Sequence, residues 1–163
     1  MDAPDALLSA LRDRGLSLGI AESLTGGALC SALVAVPGAS AVLRGGIVSY
    51  ATEIKASVLG VDIVLLERYG PVHPEVAAQM ADGVRRAMTI DGEPADVGIA
   101  TTGIAGPASP DGQPVGTVHI GVSVGAHTST RMFRFDGGRA EVRAATVSAA
   151  LEWAREVVEH VGE

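Results

Sequence analysis

The chain has 163 residues, 47% of them hydrophobic but only 3% aromatic, and a formal net charge of -7. That length suits a single domain over residues 1–163, with a core of Ala, Val, Leu and Ile. The acidic balance argues against direct nucleic-acid binding, the lone cysteine, Cys30, excludes an intrachain disulfide and a cysteine-rich zinc site, and no apolar run reaches membrane length.

Leu7, Leu8 and Leu11 sit at helical spacing within residues 4–14, and Gly15 ends that helix. This N-terminus is acidic and amphipathic and does not read as a signal peptide, so a soluble cytoplasmic protein is expected. Residues 16–21 predict a short buried strand. Residues 25–36 predict a helix, broken by Pro37 and Gly38, and 39–43 one further helical turn. Residues 45–50 predict a strand. Two short helices follow, 52–59 with Thr52 as N-cap and 62–69 with Asp62 as N-cap. Residues 74–88 predict an amphipathic helix with Pro74 at its first position and Val76, Ala77, Met80, Val84 and Met88 on one face. Residues 96–103 predict a strand running into the Gly- and Pro-rich loop 103–114. An antiparallel hairpin, 115–124 with 128–135, precedes a final helix over 139–161.

Alternating strands and helices followed by a hairpin predict an α/β protein, a three-layer α/β/α sandwich with a mixed, mostly parallel sheet. Ligands in such sheets collect at the carboxyl ends of the parallel strands. Three loops lie there: 22–27, 50–55 and 101–107.

The first loop reads Glu22-Ser23-Leu24-Thr25-Gly26-Gly27. A serine between strand and helix is either a cap or a nucleophile. The helix start offers free N–H groups, and Gly26 and Gly27 admit a ligand close to the backbone, so the turn is a candidate site for a phosphate or an oxyanion. A serine nucleophile needs a base. None of the four histidines, His73, His119, His127 and His160, stands in a recognisable triad context. Lys55 is the alternative. It is the only lysine, every other basic side chain being Arg. Arginine does not deprotonate in proteins, whereas a desolvated lysine does. Tyr50, at the end of the preceding strand, is a candidate to orient or relay the proton. Thr102 and the turn after it are a candidate anion nest, though neither a Walker nor a dinucleotide fingerprint is present. Arg139 and Arg143, one helical turn apart, either share an anion or form a solvated face. No His, Asp and Glu cluster has metal-ligand spacing, so neither metal nor cofactor is expected.

Taken in order, AESLTGG (21–27), Tyr50 with Lys55, TGIAGP (102–107), PVGTV (114–118) and Phe135, Gly137, Arg139 and Arg143 resemble the CinA C-terminal domain family over nearly the whole chain. The resemblance implies an amidohydrolase that deamidates nicotinamide mononucleotide to nicotinate mononucleotide and ammonia. It implies Ser23 as nucleophile, supported by Lys55 and Tyr50. It further implies substrate contacts at Thr25, Gly26, Gly27, Thr102, Gly103, Ala105, Gly106, Arg139 and Arg143.

Three positions depart from the family pattern: Leu24 stands in place of a frequent Cys, Thr52 in place of an Asn, and the loop after Pro107 has fewer glycines. Many members also carry a separate N-terminal domain, and none of its activity is carried over. The expected partner is a small nucleotide, with no nucleic acid or membrane, and the Ala-rich helices suit a homo-oligomer. The alternative reading is a non-catalytic nucleotide-binding module, or an interaction module associated with competence or DNA damage.

Overall fold

The computed structural model describes residues 1–161. Its sheet is built from β1 (Leu18–Glu22), β2 (Leu43–Val48), β3 (Val97–Gly103), β4 (Thr117–Val124) and β5 (His127–Arg134), in the order β2-β1-β3-β4-β5. β1 pairs in parallel with β2 and with β3, whereas β4 runs antiparallel to β3 and to β5. The sheet is mixed, and four of its five strands share one direction.

Helices cover both faces. α1 (Ala3–Asp13), α2 (Ala28–Val34) and α6 (Arg139–His160) bury Leu7, Leu8, Leu11, Leu29, Leu33, Val142 and Leu151 against Leu18, Ile20 and Ile99 of the sheet. The short α3 (Thr52–Ser57) and α4 (Ile63–Tyr69) lead into α5 (Pro74–Ala87) on the other face, where Val76, Met80, Ala81 and Val84 meet Ala21 and Ala100. Successive strand residues point to opposite faces, so Ile20 and Ala21 serve different layers. The three-layer α/β/α arrangement expected from the alternation is present.

α5 approaches the sheet closely because the strands are bare beneath it. A Cβ on Gly98 would stand 1.9 Å from the Ala81 carbonyl oxygen, and one on Gly121 would stand 2.3 Å from that of Ala77. The amphipathic stripe of α5 is thereby pressed against backbone, and Pro74 starts it with His73 accepting from the Glu75 N–H.

Several boundaries differ from expectation for local reasons. The second helix begins at Ala28 and not at 25, because Gly26 and Gly27 adopt left-handed φ values of 59° and 102°. The second strand ends at Val48, since the Ser49 and Tyr50 carbonyls turn out of the sheet toward Lys55. Ala51, not Thr52, precedes the first turn of α3, and no side chain caps it. Asp62 does cap α4, accepting from the Val64 N–H. The segment 39–43 forms a single 3-10 turn at Ala39–Ala41. Pro114 to Gly116 turn before β4, with the Thr117 N–H donating to the Pro114 carbonyl.

The chain leaves β1 toward β2 on one side and returns to β3 on the other. The loops after β1 and β3 therefore diverge, which opens a crevice at their carboxyl ends.

Gly98→Ala should lower unfolding free energy by about 3 kcal/mol, because a main-chain carbonyl cannot yield without displacing α5. Urea denaturation measures this, and an unchanged midpoint would show that the helix is free to shift.

Candidate active site

The crevice is a cavity of about 520 Å³ whose walls include Ser23, Leu24, Tyr50, Lys55, Thr102, Gly103, Ala105, Gly106 and Arg139. Three walls come from different strand ends, and Arg139 begins α6. Ser23 follows β1, Tyr50 and Lys55 follow β2, and residues 102–106 close β3.

Lys55 is the largest fully buried side chain, with 1% of its surface exposed. Its Nζ lies 2.9 Å from Ser23 Oγ, 2.5 Å from the Ser49 carbonyl oxygen and 3.4 Å from that of Tyr50. The two carbonyls accept N–H bonds, leaving the third direction for the serine. A neutral amine held this way has its lone pair facing the Ser23 hydroxyl. Burial lowers the Lys55 pKa from 10.5 to about 8, and the charge of Glu53 partly offsets that effect. At neutral pH an appreciable fraction is therefore uncharged, which a surface lysine never achieves.

Ser23 sits on a turn fixed from several sides. Its N–H reaches Thr101 Oγ1 at 3.4 Å, and its carbonyl accepts from the Gly26 N–H. Glu22, fully buried, turns its carboxylate onto the start of α2, accepting from the Leu29 N–H at 2.9 Å and the Cys30 N–H at 3.0 Å. The helix end that the sequence offers to an external anion is thus filled by the chain's own carboxylate.

On the outer wall, Arg139 donates to the Gly106 carbonyl at 2.6 Å and to the Tyr50 hydroxyl at 3.0 Å. Tyr50 is 63% exposed, and its link to Lys55 runs through the main-chain carbonyl. Thr102 donates its hydroxyl to the Pro71 carbonyl at 2.7 Å, which fixes the Pro71–Val72 side of the cavity. Gln113 bridges Asp111 and the Val72 carbonyl, so the glycine-poor loop is tied across the mouth.

A family model described as the CinA C-terminal domain matches residues 2–158. This chain belongs to the CinA C-terminal domain family. A CinA-like protein of Frankia casuarinae is 48% identical over 93% of this chain and 34% of its own length. A putative competence-damage inducible protein of Desulforamulus reducens is 42% identical over 89% of this chain and 34% of its own length. The chain thus spans about a third of the curated relatives it matches. Among solved structures, a competence damage-inducible protein A from Klebsiella pneumoniae superposes with a TM-score of 0.91 at 33% identity, covering 98% of this chain and 96% of that one. A CinA superfamily protein from Escherichia coli superposes with a TM-score of 0.87 at 36% identity, covering 96% of this chain and 88% of that one.

In this CinA domain the residues singled out from sequence fall into two groups. Ser23, Lys55, Tyr50, Thr102, Gly103, Ala105, Gly106 and Arg139 line one cavity. Thr25, Gly26, Gly27 and Arg143 do not. Thr25 is buried and bonded through its hydroxyl to Thr101, while Arg143 donates to the Leu24 and Thr25 carbonyls. None of the four histidines lines the cavity. His119 is buried on β4, and burial with the nearby His73 keeps its pKa below the ordinary value.

Sequence reasoning missed Glu22, Ser49, Pro71 and Val72. An acid at the end of an otherwise apolar strand was the one available signal, for Glu22. The Ser49 carbonyl and the Pro71–Val72 backbone carry none in their side-chain identities.

Lys55 also couples stability to pH. Its folded pKa, about 8, lies below the unfolded value of 10.5, so between them the unfolded chain holds a proton that the folded chain has released. Stability should therefore rise with pH across that interval, with about 3 kcal/mol at stake. Urea unfolding of wild type and Lys55→Met at pH 7 and at about pH 10 isolates this contribution, since the variant lacks the group. Identical changes in both proteins would mean that Lys55 titrates as a free lysine.

Proposed function

We propose that this CinA domain is an amidohydrolase that converts nicotinamide mononucleotide to nicotinate mononucleotide and ammonia, with Ser23 as nucleophile and Lys55 as its base. The observation that carries this reading is the 2.9 Å contact between a buried, pKa-lowered lysine and a serine hydroxyl on the cavity wall. Among the described residues no carboxylate lies within ion-pair distance of Lys55, an unfavourable burial for a purely structural lysine, and such perturbed groups concentrate at reactive sites. The cavity volume suits a ligand of nucleotide size.

In the first step Ser23 Oγ attacks the carboxamide carbon while its proton passes to Lys55 Nζ. A C–O bond forms, and the carbonyl π pair moves onto oxygen. Collapse of this tetrahedral species breaks the C–N bond, and the proton on Lys55 leaves with the nitrogen as ammonia. Water then attacks the ester, again giving one proton to Lys55, and Ser23 departs with that proton to leave the carboxylic acid, which ionises by releasing its remaining proton to solvent. The Ser49 and Tyr50 carbonyls hold the amine in place throughout. Tyr50 assists in this way through its main chain, and its phenol, paired with Arg139, forms the outer wall. Arg139 is the cation best placed for the substrate phosphate, with the amides around Gly103, Ala105 and Gly106 beside it.

Ammonia release from nicotinamide mononucleotide, measured with chelator present, tests the reading. Wild type should turn over, and Ser23→Ala and Lys55→Ala should each lower kcat by about 10²- to 10⁴-fold. kcat/KM should rise with pH with a midpoint near 8, and Glu53→Gln should move that midpoint downward by removing the charge that favours the ammonium. Arg139→Ala should raise KM by roughly 10- to 100-fold, the scale of a hydrogen bond to a charged group. A folded wild type that binds the nucleotide without turnover would instead identify a binding module.

A further inference from the structure

A nucleophile and its base act together only at the right separation. We infer that Thr101 is a positioning residue: its hydroxyl clamps the Glu22–Ser23 peptide from the β3 side and so keeps Ser23 Oγ at Lys55 Nζ. This rests on the amidohydrolase reading above.

Main-chain pairing of β1 with β3 ends at Ala21 and Ala100, two residues before the nucleophile. One residue further along β3 a side chain takes over, and the Ser23 N–H donates to Thr101 Oγ1 at 3.4 Å. The carbonyl of the same peptide unit, that of Glu22, accepts from the Ser49 N–H at 2.8 Å. In a trans peptide the C=O and N–H point in opposite directions. This unit is therefore held from the β2 side through Ser49 and from the β3 side through Thr101. Ser49 in turn gives its own carbonyl to Lys55, whose Nζ meets Ser23 Oγ at 2.9 Å. Ser23, Ser49 and Lys55 thus form a closed ring of hydrogen bonds, and Thr101 braces that ring from outside. The brace is itself held, because Thr25 Oγ1 lies 2.8 Å from Thr101 Oγ1.

The burial of Thr101 argues for a role of this kind. Val97, Ile99 and Thr101 alternate onto one face of β3, and the first two belong to the core under α1, α2 and α6. A hydroxyl with no exposed surface is unfavourable in such a layer unless it is hydrogen-bonded. Both of its contacts, Ser23 and Thr25, lie on the turn that bears the nucleophile. Thr102, next in sequence, faces the other way, lines the cavity and donates to the Pro71 carbonyl. Thr101 is not among the residues of the cavity wall, so it acts through Ser23 and not on the substrate.

The test compares wild type, Thr101→Val and Thr101→Ser in steady-state deamidation of nicotinamide mononucleotide and in labelling by phenylmethylsulfonyl fluoride, followed by intact mass with Ser23→Ala as the blank. The reagent forms an S–O bond to an activated serine, expels fluoride and leaves the hydroxyl proton with the base, so it reads the Ser23–Lys55 pair without the substrate. Valine keeps the shape of threonine and removes the hydroxyl. Thr101→Val should lower kcat by about 10- to 100-fold with KM within about threefold, the scale of a small misplacement of a reacting group. Its labelling rate should fall by a similar factor, and Thr101→Ser, which keeps the hydroxyl, should recover most of both. Thermal melting reports whether each variant is folded, and Thr101→Ala serves if Thr101→Val is not. Unchanged kcat and labelling in a folded Thr101→Val would overturn the inference. A raised KM at unchanged kcat would overturn it too, as would a Thr101→Ser as impaired as Thr101→Val, which would assign the effect to packing. A wild type that neither turns over nor is labelled at Ser23 would instead sink the underlying amidohydrolase reading. Labelling of wild type without turnover would sink only the substrate assignment, and the labelling rates would still decide the role of Thr101.

Discussion

A lysine with 1% of its surface exposed constrains everything around it. An ammonium in such a place is costly unless its protons are taken up, and among the described residues no carboxylate lies within ion-pair distance of it. The chain answers with oxygen dipoles: the Ser49 and Tyr50 carbonyls and the Ser23 hydroxyl. Those carbonyls are available only because β2 stops at Val48 and the backbone turns away from the sheet. The early end of that strand, the depressed pKa and the approach to the serine are one arrangement. Bringing a carboxylate to Nζ would secure the ammonium more firmly, and would remove the neutral amine that a base requires.

The serine side of the pair is organised by the same logic from the opposite direction. A turn between a strand and a seven-residue helix has several main-chain donors to satisfy. Glu22 takes those of the helix itself, and Ser23 takes that of Gly26. Arg143 of α6 in turn holds the carbonyls of Leu24 and Thr25. The first strand, the first crossover helix and the last helix of the chain thus meet at one turn. Packing of α6 against the sheet fixes where Arg143 can reach, so the far end of the sequence sets the geometry beside residue 23.

The layers and nearly all of the elements were legible because hydrophobic period and turn chemistry agree along this chain. Leu7, Leu8 and Leu11, the Pro74 helix start and the Asp62 cap each state one local preference that packing does not override. Boundaries slipped where backbone conformation or a nearby polar contact decides them, as in the left-handed turn at Gly26 and Gly27 or where the Ser49 and Tyr50 carbonyls meet Lys55. Within the site, the side chains that line the cavity were legible from residue type: one lysine among arginines, a serine at a strand end, glycines after Thr102. That Glu22 turns back onto the Leu29 and Cys30 N–H groups was not legible, because nothing in the sequence says which way its side chain points. Arg139 and Arg143 look equivalent at one-turn spacing, and only the fold separates the one that faces the cavity from the one that holds its wall.

Charge follows a similar division between whole and part. The chain carries a formal net charge of -7, yet the cavity wall holds Lys55 and Arg139 against one carboxylate, Asp111, which is engaged with Gln113. Arg143 adds a third cation just behind the wall. An acidic total disfavours the approach of polyanions in general, and a Debye length of about 8 Å still transmits the average field of the surface. A small anion that enters the crevice meets a different local field, because low-dielectric walls weaken screening and nearby cations outweigh distant acids. Under the proposed reading, one protein would disfavour nucleic acid at its surface and still hold a single phosphate in the crevice, with cavity size as part of its selectivity.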